Sequence, residues 1–167
     1  MYRTGHYGAA LLAFAPVAYL LLSIGEPALA VVAGGGMLWL AMLPDVDHRL
    51  PLVSHRGPTH SLGFAGLVGG AFAGVGLLLG SAMGFETVAG IGLGAFGFIV
   101  GAVAVVAHLL ADVITPAGAP LLWPLSGRRY SLDLARADNV VWNYGLFVVG
   151  VFAVSAVVAV SVVGVGV

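Results

Sequence analysis

Residues 55–83 read HRGPTHSLGFAGLVGGAFAGVGLLLGSAM, and the change of character inside this stretch decides the fold. Its first six positions hold two histidines, an arginine and a threonine, whereas Ser61 to Phe85 contains no Asp, Glu, Lys, Arg or His. A helix rises about 1.5 Å per residue and needs about 20 apolar residues to cross a hydrocarbon core, so 62–83 predicts a membrane span tied at its start to a polar cluster. Further runs without charge or histidine lie at 7–25, 27–44, 87–107 and 139–167. Together they predict an all-α, polytopic helical bundle, a single domain over 1–167 with five spans at approximately 7–24, 28–43, 62–83, 87–110 and 140–164. The second is short and carries Gly34, Gly35 and Gly36, which suits close packing or local thinning of the bilayer. Pro16 predicts a bend in the first helix. Gly69-Gly70 and the glycines at 90, 92, 94 and 97 read as close helix packing, not phosphate loops. Arg3 before an apolar run, with Ala28-Leu29-Ala30 beyond it, also fits a signal peptide, but the run is long for one and a second follows at once.

Composition excludes the other classes. Charged residues make up 8% of the 167, against roughly 25% in a soluble domain, and 60% are apolar. With a mean hydropathy of +1.10, the chain can neither cover a compact body with polar surface nor stay disordered in water. A net charge of −1 gives no reason to expect nucleic acid as a partner, and the absence of cysteine removes disulfides, thiol nucleophiles and Cys zinc sites.

Threading five spans through a membrane sorts the polar residues by side. The amino-terminal side receives residues 1–6, 45–60 and 108–138, and with them every Arg, every Asp and every His; the other side keeps only Glu26 and Glu86. The positive-inside rule then makes the amino-terminal side cytoplasmic, and Trp39, Trp123 and Trp142 all fall near that interface.

Chemistry gathers on that side. His108 and Asp112 are four apart at the end of the fourth span, so both project from one helical face, as a metal-binding pair or a helix-end hydrogen bond would. Asp45-x-Asp47-His48 follows Pro44 where the second span ends, and Ser54 to Ser61 holds His55, Arg56, Thr59 and His60. Thr59 or Ser61 also suits the cap of the third helix. The second and fourth spans present negative helix ends here, favouring a cation, and the third a positive end, favouring an anion. Arg56, Arg128 and Arg129 are candidate bidentate phosphate contacts. His and Asp ligands without Cys suit zinc, manganese or iron(II) better than calcium or magnesium.

The combination of His6, Leu43-Pro44-Asp45-Val46-Asp47-His48, His55-Arg56-Gly57-Pro58-Thr59-His60-Ser61-Leu62, His108-Leu109-Leu110-Ala111-Asp112, Thr115-Pro116-x-Gly118 and Trp123-Pro124-Leu125 resembles the YdjM-type family of membrane-bound metal-dependent hydrolases. The match runs from residue 6 to about 126. The His-x-x-x-Asp element is also similar to that of the helical zinc phospholipases C and their nuclease relatives, an analogy of motif that fixes no substrate. The resemblance implies an inner-membrane, multi-span hydrolase with His6, Asp45, Asp47, His55, His60, His108 and Asp112 as metal ligands, and His48 as a less certain one. The resulting expectation is a zinc enzyme, with manganese or iron as alternatives and two ions in all, cleaving a phosphoester or lipid-like substrate at the cytoplasmic interface by metal-activated water. Asp47, His55 and Arg56 are its expected catalytic groups, and Thr59, Ser61, Arg128 and Arg129 its substrate contacts. The alternatives are a noncatalytic scaffold with a structural metal and a transporter of metal or small anions, the latter disfavoured because the spans lack ionisable groups near mid-membrane.

Overall fold

A computed structural model describes residues 1–49, 55–84, 87–88 and 90–165; Ser54 and Glu86 lie outside them. The described residues form five α-helices: α1 (Arg3–Ser23), α2 (Pro27–Leu40), α3 (Leu62–Met83), α4 (Leu93–Val113) and α5 (Val140–Val165). Four are long and apolar enough to cross a membrane, whereas α2 has 14 residues. At about 1.5 Å per residue it extends about 21 Å, less than the ~30 Å of a hydrocarbon core. Two 3-10 segments, Pro44–Arg49 and Pro58–His60, stand between α2 and α3.

The helices pair where small residues let backbones approach. The broadest interfaces are α3 with α4 and α1 with α5, and α1 and α2 in turn pack on α4. A Cβ at Gly8 of α1 would lie 2.5 Å from the Leu146 backbone, and one at Gly150 of α5 would lie 2.6 Å from the Gly8 carbonyl oxygen. In the other pair, a Cβ at Gly97 would meet the Phe72 carbonyl, and one at Gly101 would come within 3.0 Å of that of Val68. The core between the pairs is made by Phe14 and Leu21 of α1, Met37 and Leu40 of α2, Val68 of α3 and Val100, Val105 and Leu109 of α4. Pro16 lies inside α1 without ending it.

Several boundaries differ from the sequence reading, and α2 ends at Leu40, not 43. The fourth helix starts at Leu93, not 87, because Thr87–Val88 (β1) and Ile91–Gly92 (β2) form a short antiparallel hairpin turned at Gly90, whose φ is +75°. Gly90 and Gly92 therefore belong to a turn and a helix start, and Gly70 faces open space, whereas Gly69, Gly94 and Gly97 do make close helix contacts. Helix α1 begins at Arg3 and α4 runs to Val113, so His6, His108 and Asp112 lie within helices, on segments that continue past the charge-free runs.

Candidate metal centre

Four elements deliver the polar side chains to one place. Helix α4 brings His108 and Asp112 on one face in its final turns, and α1 brings His6 from its first turn. The 3-10 segment Pro44–Arg49, which opens on a proline pre-set for such a turn, carries Asp45 and Asp47 past the end of α2. Pro58–His60 places His60 just before α3, and Ser61 then caps that helix: its hydroxyl donates to the Pro58 carbonyl (2.7 Å) and accepts from the Phe64 N–H (3.1 Å).

Four atoms converge. His60 Nε2 lies 3.4 Å from Asp45 Oδ1, 3.3 Å from Asp112 Oδ2 and 3.3 Å from His108 Nε2, and His108 Nε2 lies 3.6 Å from Asp45 Oδ1 and 3.5 Å from Asp112 Oδ2. The atoms form two triangles that share the His60–His108 edge, one closed by Asp45 Oδ1 and the other by Asp112 Oδ2. A point equidistant from the three corners of either triangle lies about 2.0 Å from each, the bond length of a transition metal to imidazole nitrogen or carboxylate oxygen. Asp112 Oδ2 is fully buried and, among the described residues, has no hydrogen-bond donor, a costly state that a cation at the centre would relieve. Asp45, His60 and His108 form one group that could hold a metal ion, and His6, His108 and Asp112 form another.

A surrounding layer fixes the tautomers and rotamers this requires. The Ala41 carbonyl accepts from His108 Nδ1 (2.7 Å), which leaves Nε2 with its lone pair toward the centre. The Thr59 hydroxyl does the same for His60, accepting from Nδ1 at 3.1 Å, and Asp47 Oδ2 lies 3.3 Å from that nitrogen. That oxygen accepts from the Thr59 hydroxyl (2.9 Å) and the Arg56 N–H (3.0 Å), while Oδ1 is 3.0 Å from His55 Nδ1. Asp112 Oδ1 is gripped by Arg56, whose Nη2 donates to it at 2.9 Å while Nη1 donates to the Gly118 carbonyl (2.9 Å) and Thr115 Oγ1 (3.3 Å). His6 stacks on His108 with ring centroids 3.8 Å apart and has Nε2 3.8 Å from Asp112 Oδ1.

The charges adapt to one another. Burial opposes ionisation of Asp45, but its hydrogen bond with His60 and the imidazoles of His108 and His6 outweigh that and hold its carboxyl at about 2. Asp47 is likewise buried yet lowered, by hydrogen bonds from His55 and Thr59. His60 goes the other way: burial would depress it, but the neighbouring carboxylates of Asp112 and Asp45 raise it above the ordinary 6.5.

A His/Asp cluster that could hold a metal lies at one end of a bundle with membrane-length helices, and the family model described as YdjM inner membrane protein matches residues 1–166. The chain belongs to the YdjM inner membrane protein family. No curated protein and no solved structure matches it. Family membership and four membrane-length helices make it a membrane protein.

Several expected roles change with the geometry. Asp47, expected as ligand and catalyst, has both oxygens committed to hydrogen bonds and stands behind His60. Arg56, expected to meet developing charge, is buried with its guanidinium spent on Asp112 and two groups of the 115–118 turn. Thr59 supports Asp47, and the Ser61 hydroxyl is used in capping, so neither faces substrate. Arg128 and Arg129 are exposed, the first over the Tyr130 ring and the second near the Ala117 carbonyl. His55 and the exposed His48 stack at the rim, and with Asp45 and Asp47 they form a second group of closely spaced ligand atoms. The sequence reading missed Arg3 and Arg49. Both line a cavity of about 500 Å³ onto which Asp45 opens, together with Tyr7, Trp39 and His48. They had registered only as markers of membrane sidedness.

Proposed function

We propose that the chain is a metal-dependent hydrolase of phosphoesters, working at the cytoplasmic interface of the membrane with a zinc ion held in the cluster of Asp45, His60, His108 and Asp112. The cluster carries this reading: mixed N and O donors at zinc spacing around the His60–His108 pair, whose imidazole tautomers are set from behind. A bound zinc ion supplies polarisation of a phosphoryl oxygen and acidifies water. Asp45 is 20% exposed while the other three ligand side chains are buried, so substrate approaches over Asp45 from the cavity. His55, oriented through Nδ1 by Asp47, takes the proton from the attacking water, whose oxygen forms the new P–O bond. The P–O bond to the alcohol breaks with its electron pair leaving on the alcohol oxygen, and the proton returns there from His55. A second ion at Asp45, Asp47, His48 and His55 would cost Asp47 its hydrogen bonds, so the geometry favours one ion over two.

One observation favours the noncatalytic reading with a structural metal: the cluster offers more than three protein donors, whereas catalytic zinc usually keeps an open position. The test measures metal content of chelator-free protein, then screens phosphomonoesters, phosphodiesters and phospholipids with added zinc or manganese, comparing the parent with Asp45→Ala. About one zinc per chain and hydrolysis lost in Asp45→Ala is the expected result. Zinc without hydrolysis of any ester leaves the structural-metal reading, and protein free of metal sinks both.

A further inference from the structure

The cavity over Asp45 does not end in polar surface. On its cytoplasmic rim stand Arg3 and Arg49, both exposed, and among the described residues neither has a carboxylate partner. Two of its walls, Tyr7 of α1 and Trp39 of α2, also form the start of a second space of about 410 Å³, otherwise lined by Leu11, Leu38 and Phe147. That groove lies between α1, α2 and α5, on the flank that helices of this length turn to the bilayer. The two spaces adjoin at these aromatics, and tyrosine and tryptophan are the side chains that favour the level where headgroup meets hydrocarbon.

The geometry points to a phosphate-headed membrane lipid as the occupant, its head between Arg3, Arg49 and the metal centre and one hydrocarbon chain in the Tyr7–Phe147 groove. This narrows the substrate class of the hydrolase reading and rests on it for the location of the head. Charge complementarity selects the head: two unpaired guanidinium groups match phosphate oxygens, whereas a neutral head would leave them without partners. Adjacency selects the chain, because a soluble phosphoester would fill the polar cavity and leave the groove unused. The chain need not leave the hydrocarbon for its head to reach Asp45.

The experiment is displacement of a fluorescent phosphatidate from the zinc-loaded, full-length protein in nonionic detergent by three competitors: phosphatidate, diacylglycerol with the same chains, and glycerol 3-phosphate. Phosphatidate is expected to displace the probe at concentrations at least tenfold below the other two, and R3Q/R49Q and Leu38→Trp each to weaken its binding at least tenfold with zinc content retained. Glycerol 3-phosphate competing as well as phosphatidate overturns the lipid assignment in favour of a soluble phosphoester. Diacylglycerol competing equally, or R3Q/R49Q binding as the parent does, reduces the groove to ordinary lipid contact. Should R3Q/R49Q fail to fold, Leu38→Trp decides alone, and unchanged affinity there overturns the proposal. Tight phosphatidate binding without cleavage would remove the hydrolase reading and leave the lipid site, whereas cleavage of soluble esters with no lipid preference would do the reverse.

Discussion

Arg56 shows how much of a candidate metal centre is arranged by residues outside its converging ligand atoms. Its backbone N–H holds Asp47 and its guanidinium holds Asp112, so one residue steadies a carboxylate behind His60 and a carboxylate at the centre. Its backbone lies at φ +55°, an uncommon conformation for a side chain of this size, maintained by the contacts at both ends. Lysine carries the same charge but cannot fork between Asp112 Oδ1 and the Gly118 carbonyl. Arg56→Lys is therefore expected to weaken metal binding roughly 10- to 100-fold, the usual cost of losing such outer support, with all four ligands intact. Competition with a chromophoric chelator measures it. Affinity equal to the parent would return Arg56 to the substrate-facing role that its sequence context suggests. His60, His108, Asp45 and Asp112 were readable as candidates because a bilayer chain has so few polar residues that those present stand out. The division of labour was not readable, since an Asp two positions from another looks the same whether it meets the ion or the histidine behind it.

At the level of elements, the bundle depends on glycines whose missing β-carbons set the distances between helices. Gly8 and Gly150 bring α1 and α5 into backbone contact, and α5 is otherwise the least buried of the membrane-length helices. Gly8→Val is expected to destabilise the detergent-solubilised protein by about 1 to 3 kcal/mol, the range for forced overpacking, and to loosen α5. Gly35→Ala, on a face with nothing within 4 Å, is expected to be neutral or to stabilise by about 0.5 to 1 kcal/mol through helix propensity. Thermal unfolding of the two variants side by side reads the contrast, and equal losses would count against the close α1–α5 packing. The existence and order of the long helices were legible from the spacing of charges alone. The ends were not: the hairpin at Thr87–Gly92 is as apolar as the span it precedes, so hydropathy cannot separate them, and α1 and α4 continue into polar sequence because the cluster itself satisfies those residues.

For the whole molecule, one end carries the chemistry and the other carries turns. The sequence has no cysteine, so single cysteines can report sidedness without background. Leu132→Cys, in the exposed segment between α4 and α5, is expected to react with a membrane-impermeant maleimide only after cells are permeabilised, and Ser81→Cys, at the far end of α3, to react in intact cells. The reverse pattern would place the cavity outside. The shortness of α2 bears on the same geometry, since its end lies about a turn below the tops of its neighbours and lowers Asp45 toward the hydrocarbon. The four converging side chains come from positions 45, 60, 108 and 112, separated by the whole of α3 and the hairpin. During synthesis the first two ligands and Arg56 reach the membrane while Asp112, Thr115 and Gly118 are still to be translated. Assembly of this cluster is therefore a late event in the life of the nascent chain, possible only once the fourth helix has been inserted beside the first, and a product truncated before α4 would leave the ribosome without it.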